Sequence, residues 1–261
     1  MDLPIISREI MIPVSGNEHM KAFMSRPDDA ASHPCMIIGM ELFGLTDHIR
    51  DITQHVAKLG YVAVAPDFYH RTYNGATLQY TQEGRAIGLE NLNMLSRQGV
   101  TDDIKAAIRF AKEKFSASER TGMLGFSMGG HIAYYAATQL HFDATACFYG
   151  GWITSSGTAL SRPEPLVNLT TGIKVHDGRL MFFSGGKDPH IPPADLIAIK
   201  TALTQAEVPH EIVVYPNATH GFFCDARPET FDKAARDSAW EKLKTFFEKA
   251  LGSAQRSMPN A

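Results

Sequence analysis

The sequence predicts an α/β fold with a mostly parallel central sheet and helices on both of its faces. Three observations carry that prediction. Short apolar runs at 34–40, 61–66 and 144–150 lack the in–out alternation of a sheet with one wet face, and they suit strands buried on both faces. Between such runs lie segments whose apolar residues recur at helical spacing. Strand and helix candidates then alternate along most of the chain, as parallel strands joined by crossover helices require.

Taken in order, residues 7–14 and 19–26 flank Ser15-Gly16-Asn17, a turn-forming triplet, and read as a hairpin. The run 34–40 is a buried strand ended by the polar Glu41. From Asp47 to Leu59, Ile49, Ile52, Val56 and Leu59 share one helical face, and Gly60 stands where a C-terminal cap belongs. Residues 61–66 form the next strand. A helix over 101–115 opens with Thr101 as N-cap and two early acids, with Ile104, Ala107, Ile108 and Ala111 on its apolar face. A strand at 121–126, a helix at 128–139 and a strand at 144–150 follow. The segment 151–177 is rich in Gly, Ser, Thr and Pro and exceeds the usual connection length, which reads as a functional pocket rim rather than a domain joint. A strand at 179–185, a helix at 193–206, a strand at 211–216 and an amphipathic helix at 231–250, with Phe231, Ala235, Leu243, Phe246 and Phe247, complete the pattern. No repeat, low-complexity tract or long linker divides the chain, so one domain over 1–261 is expected.

Composition removes several classes of function. The chain has 261 residues, 44% hydrophobic and 20% charged, with 25 basic against 28 acidic side chains for a net charge of −3. A disordered chain is poorer in apolar residues and carries more net charge. The balance offers no basic face for nucleic acid and no polybasic membrane patch. Cys35, Cys147 and Cys224 form no CxxC pair, which argues against a thiolate metal site and against a disulfide scaffold. The N-terminal stretch lacks a basic head and apolar run, and no apolar run reaches the ~18 residues of a bilayer span, so a cytoplasmic location is expected. No feature marks an oligomer interface.

The strongest chemical signal is Gly125-Phe126-Ser127-Met128-Gly129, followed by Gly130. By composition alone G-x-S-x-G arises in about one chain of this size in ten. Here it stands between a predicted strand and a predicted helix, the setting of a nucleophile elbow. There the serine hydroxyl rises above the sheet edge, and the Met128 N–H serves as one oxyanion donor. A serine nucleophile needs a base, and the base needs an orienting acid. In chain order after Ser127, Asp188 follows the strand 179–185 and His220 follows the strand 211–216, at the same sheet edge. Asp177 and Asp195 are weaker acids for this role. Among the eleven histidines, His131 lies inside the following helix, His176 and His190 sit in loops that could line a pocket, and His141 and His210 precede strands. Glu41 ends the strand 34–40 at the catalytic edge. It reads either as a solvated acid or as a carboxylate near Ser127 that holds a water or positions the nucleophile. An ordinary carboxylate, with pKa about 4.3, does not deprotonate a serine by itself. Leu42 offers a second oxyanion amide. Phe43, Tyr69, Tyr73, Trp152, Phe222 and Phe223 are candidate pocket walls, each with ordinary core packing as the alternative.

These residues resemble the dienelactone hydrolase family over about 34–249. Met40-Glu41-Leu42-Phe43-Gly44-Leu45 looks like its glutamate loop, and Gly60 to Tyr69 like its next strand and turn. Gly125 to Gly130, Phe148-Tyr149-Gly150, Gly185-Gly186-Lys187-Asp188 and Ala218-Thr219-His220-Gly221-Phe222 are similar and in family order. The resemblance implies an α/β-hydrolase fold and a cofactor-free hydrolase of lactones or other carboxylic esters, with no metal. It maps nucleophile, acid and base to Ser127, Asp188 and His220, supports Leu42 and Met128 as oxyanion donors, and casts Arg85 as a ligand for a substrate carboxylate. An exposed helix arginine is the alternative for Arg85. Two departures stand out. The best-studied members carry Cys where this chain has Ser127, and they place an arginine four residues after the histidine, where this chain has Cys224, with Arg227 three residues later. Simple esters or lactones are therefore the expected small-molecule substrates. A peptidase or thioesterase with the same triad, and a non-catalytic binding protein on the same fold, are the competing readings. Convergence of the three triad groups in space separates the last of these from the rest.

Overall fold

The computed structural model describes residues 3–15, 18–73 and 77–252. Strands that are apolar on both faces need cover on both sides, and helices with one apolar face supply it. The strands are β1 (Ile5–Pro13), β2 (His19–Pro27), β3 (His33–Gly39), β4 (Val62–Pro66), β5 (Ala117–Phe126), β6 (Ala144–Phe148), β7 (Leu180–Gly185) and β8 (His210–Tyr215). The helices are α1 (Asp47–Lys58), α2 (Gln82–Met94), α3 (Arg97–Phe115), α4 (Met128–Gln139), α5 (Thr171–Val175), α6 (Pro193–Gln205) and α7 (Lys233–Leu251). One mixed sheet runs in the order β1-β2-β4-β3-β5-β6-β7-β8, antiparallel at β1/β2 and β2/β4 and parallel from β4 to β8. It is the α/β-hydrolase fold. The hairpin pairs as expected, and Gly16 and Asn17 of its turn lie outside the described residues.

Register places the site. Gly39 of β3 pairs with Gly125, Phe126 of β5 with Phe148, Phe148 of β6 with Phe183, and Gly185 of β7 with Tyr215 of β8. The C-terminal ends of five strands therefore finish along one edge, where α/β sheets present their ligand sites.

The structure differs from, or adds to, the sequence reading in several places, among them β5, which starts at Ala117 rather than at Thr121. Helix α3 starts at Arg97 rather than at Thr101: Ser96 Oγ accepts the Gly99 N–H at 3.0 Å, and the Thr101 hydroxyl turns back to the Arg97 carbonyl at 2.8 Å. Helix α2 was not anticipated, because Gly84, Gly88, Asn91 and Asn93 blur its apolar stripe. Its local signal is the Thr81 cap, whose Oγ1 accepts from Gly84 N at 3.1 Å. The connection 151–177, whose conformation the sequence leaves open, holds a 3-10 turn at Leu166–Leu169 and then α5.

Helix α4 is buried from Met128 to Thr138 and sits unusually close to the sheet edge. A Cβ added to Gly125 would fall on the Gly129 carbonyl, and one added to Gly129 would fall on the Gly39 carbonyl. Backbone atoms cannot swing aside, so small residues on both sides of Ser127 are a steric requirement. The same helix buries His131 completely. Burial pushes this imidazole down to about 4, so the fold holds it neutral.

Two predictions follow from this packing. Gly129→Ala should lower the unfolding free energy by at least about 2 kcal/mol by overpacking. Gly151→Ala, where an added Cβ meets only His190 O at 3.8 Å, should cost far less, and urea midpoints of the two variants decide. For His131 the folded-state pKa lies below the ordinary value of about 6.5. Its contribution is therefore complete above pH ~6.5 and is lost as pH falls through the window down to about 4, up to about 3 kcal/mol in all. The stability gap between wild type and His131→Asn should shrink across that window. A gap independent of pH would contradict the neutral buried imidazole.

Candidate active site

Ser127 closes β5 and opens α4 with φ 52° and ψ −111°, a conformation that L-residues seldom adopt. The surrounding backbone holds it there. Its N–H donates to the Phe148 carbonyl on β6 at 2.9 Å, and its carbonyl accepts from His131 N at 3.0 Å in the first turn of α4. The side chain is thereby aimed over the C-terminal edge of the sheet.

Asp188 stands three residues beyond β7, in a turn where its N–H donates to Gly185 O at 3.3 Å. His220 stands beyond β8. Ser127 Oγ lies 2.9 Å from His220 Nε2, and His220 Nδ1 lies 2.9 Å from Asp188 Oδ2. The other carboxylate oxygen, Oδ1, accepts the His190 N–H at 2.8 Å. An ionised carboxylate only accepts, so Nδ1 carries the proton and Nε2 is left to accept from the serine hydroxyl. The Asp188 side chain is fully buried, whereas that of His220 is 18% exposed. The structure thus brings together the three groups that the sequence singles out.

The ring of His220 stands between two others. Tyr149 packs edge-on at 5.1 Å between centroids and His190 at 4.9 Å. Burial, the neighbouring His220 and Arg85 hold the His190 imidazole below its ordinary pKa.

Glu41 follows β3 immediately and is buried, its side chain 1% exposed. Its Oε1 accepts from Arg227 Nη2 at 2.7 Å and from the Tyr149 hydroxyl at 3.4 Å. Burial and the Glu41 carboxylate push the Tyr149 phenol far up, so it stays a neutral donor. Glu41 Oε2 has no partner although it is buried. Arg227 lies over the rings of Phe43 at 5.9 Å and Tyr80 at 5.5 Å, so its charge is flanked by π faces as well as by the carboxylate.

A cavity of about 240 Å³ opens on these groups. Ser127 and His220 form its floor with Glu41 and Arg227, Leu42, Phe43 and Trp152 wall it, and Arg85 and His190 stand at its mouth. Arg85 sits in the first turns of α2. Met128 does not line the cavity with its side chain. Its N–H belongs to the first turn of α4, where amides have no intrahelical acceptor.

Four of the six expected walls, Tyr69, Tyr73, Phe222 and Phe223, do not line this cavity. Tyr69 is buried with its hydroxyl 3.1 Å from both Leu42 O and Gly88 O and 3.0 Å from Met128 Sδ. It ties Leu42, α2 and Met128 together instead of facing the cavity. Phe222 is fully buried and packs on Tyr149, Tyr215 and Phe148, because the backbone after His220 turns inward. Phe223 packs in the same core, against Phe126, Phe148 and Trp240. Tyr73 and Tyr69 line a separate cavity of about 150 Å³ that shares Phe43 with the first. The sequence reading missed the Glu41–Arg227 pair, whose members lie 186 positions apart with no local pattern linking them. Among the described residues no cluster of three or more His, Cys, Asp or Glu side chains is placed to hold a metal ion, and no helix is long and apolar enough to cross a membrane.

Comparison with known proteins agrees with this geometry. The profile of the dienelactone hydrolase family matches residues 20–251. A Synechocystis sp. protein named "Putative carboxymethylenebutenolidase" is 38% identical over 254 residues, covering 96% of this chain and 100% of its own length. A protein of the same name from Methylorubrum extorquens is 31% identical over 245 residues, covering 93% of this chain and 81% of its own. The crystal structure of a "Putative Dienelactone Hydrolase" from Klebsiella pneumoniae superposes with a TM-score of 0.81 at 26% identity, covering 94% of this chain and 99% of that one. With the profile spanning most of its length, the chain belongs to the dienelactone hydrolase family and is a hydrolase built on that family's fold.

Proposed function

We propose that the protein hydrolyses small carboxylic esters or lactones through an acyl-enzyme on Ser127. The observation that carries this reading is the continuous relay from Ser127 Oγ to His220 to Asp188, with both links at 2.9 Å. The Ser127 oxygen attacks the carbonyl carbon while His220 Nε2 takes its proton. Asp188, already bonded to Nδ1, stabilises the imidazolium that forms. The amides of Leu42 and Met128 receive the negative oxygen, and loss of one such donor typically costs ~10²–10³ in turnover. The tetrahedral intermediate collapses as His220 returns the proton to the leaving alkoxide. In a lactone that alcohol stays attached to the acyl group. Water, deprotonated by His220, then attacks the acyl carbon, and the second tetrahedral intermediate breaks its bond to Ser127 Oγ as His220 returns the proton to that oxygen, releasing the carboxylic acid.

Glu41 takes no proton from Ser127 in this scheme. Its Oε1 is held by Arg227 and Tyr149, and its Oε2 is buried without a hydrogen-bond partner, so the carboxylate acts by holding Arg227 and Tyr149 in place beside the cavity. Arg85, exposed at the mouth, supplies a cation for an ester that bears a carboxylate. The convergence of nucleophile, base and acid on one cavity weighs against a purely binding role.

Ser127→Ala should reduce hydrolysis of p-nitrophenyl acetate by about 10⁴-fold or more, and Asp188→Asn should come close to it because the imidazole then loses its orienting acceptor. Rates equal to wild type in Ser127→Ala would refute the reading. Arg85→Ala should raise KM about tenfold for an ester with a free carboxylate and leave KM for a neutral ester within about twofold. Equal effects on both would remove Arg85 from substrate recognition.

A further inference from the structure

Trp152 is the largest side chain on the cavity wall, and its indole meets the ring of His131 on the nucleophile helix edge-on, at 6.3 Å between centroids. Its backbone has φ 56°, the left-handed region that a bulky residue rarely occupies without support. That support comes from α4. His131 Nδ1 lies 2.9 Å from the Gly151 carbonyl and His131 Nε2 lies 2.9 Å from Thr158 Oγ1. A carbonyl only accepts, so Nδ1 carries the proton, and Nε2 must accept the Thr158 hydroxyl proton. Thr158 is locked in turn: its N–H donates to Ser161 Oγ at 3.0 Å and its Oγ1 accepts from Ser161 N at 3.2 Å. All three side chains are buried, where an unmade hydrogen bond is expensive and a satisfied network fixes one arrangement. Between the two ends of the latch, Gly157 leaves the room that the Trp152 indole fills. The outer end of the segment is fastened separately, by Arg97 to the Leu160 and Glu164 carbonyls at 2.7 and 2.9 Å.

We infer that the buried His131–Thr158 hydrogen bond is a latch that pins the rim segment 151–161 to the nucleophile helix, and that through Trp152 it sets which acyl chain lengths the cavity accepts. His131 is fully buried and does not reach the cavity, so it is a positioning residue that acts through Trp152. The inference rests on the ester hydrolase reading for its consequence and on the geometry of the rim for its cause. The two are tested by different readouts.

The cause is read without catalysis. The chain has two tryptophans, Trp152 and Trp240, and the half-buried Trp240 packs against Phe223 and the exposed His55. In a Trp240→Phe background the fluorescence reports Trp152 alone. Thr158→Val keeps the shape of the side chain and removes the hydroxyl; His131→Asn keeps a donor near Gly151 and removes the link to Thr158. Both should raise the acrylamide quenching constant of Trp152 about twofold with the thermal transition still cooperative. Unchanged quenching in both variants would overturn the latch.

The consequence is read on p-nitrophenyl esters from acetate to octanoate, with Ser127→Ala beside them. Thr158→Val, His131→Asn and Trp152→Ala should each shift the octanoate-to-acetate ratio of kcat/KM about tenfold toward octanoate, through KM rather than kcat. Because the latch acts through Trp152, the Thr158→Val/Trp152→Ala pair should resemble Trp152→Ala alone. Equal changes for every chain length, or additive shifts in the double variant, would overturn the specificity role. Hydrolysis that persists in Ser127→Ala would count against the serine hydrolase reading, while the quenching result still decides the latch.

Discussion

The close approach of α4 to the sheet edge is the constraint on which the rest of the site depends. Gly125 and Gly129 permit it, because side chains there would collide with backbone carbonyls. The approach forces Ser127 into its strained turn and brings the first amides of α4 over the ends of β3 and β5. Once that turn exists, β7 and β8 need only end level with it for Asp188 and His220 to reach Ser127. The pairing of Phe148 with Phe183 and of Gly185 with Tyr215 ensures that they do. Catalytic geometry here is a consequence of strand register and backbone packing.

Two polar clusters share the cavity and are kept separate. The relay Ser127–His220–Asp188 runs along one side, with Asp188 saturated by His220 and by the His190 amide. The Glu41–Arg227–Tyr149 cluster forms the other, and there the carboxylate is already neutralised by a guanidinium. Removing one partner of a buried pair is far costlier than the net worth of the pair, so Glu41 and Arg227 constrain one another strongly. Tyr149 touches both clusters, through its hydroxyl to Glu41 and its ring to His220. A third polar group, around His131, sits behind the nucleophile helix and faces the rim instead.

Much of this was legible in the sequence, for reasons that differ by residue. Buried parallel strands announce themselves as apolar runs, and Ser127 and Asp188 each follow such a run, while His220 follows the half-exposed edge strand β8, whose EIVVY stretch is still legible as a strand, so their shared edge could be inferred without coordinates. Helix α2 is hidden because Gly84, Gly88 and Asn91 occupy its buried face in place of apolar side chains and erase the helical stripe. Ser96 displaced Thr101 as the cap of α3, a choice between two equivalent side chains that only the path of the preceding loop decides. Aromatic residues were the least readable. Trp152 and Phe43 face the cavity, whereas Tyr69 and Phe222 turn into the core, and residue type is the same on either side of that divide. The pairing of Glu41 with Arg227 joins two distant loops and has no periodic signature.

The central claim is that Ser127 is the nucleophile and that its reactivity depends on the relay. Covalent capture tests it most directly. Incubation with a fluorophosphonate, then proteolysis and tandem mass spectrometry, should find one phosphonyl group on the peptide bearing Ser127. Labelling should be abolished in Ser127→Ala and strongly slowed in His220→Ala. An adduct on another residue, or undiminished labelling in Ser127→Ala, would contradict the account.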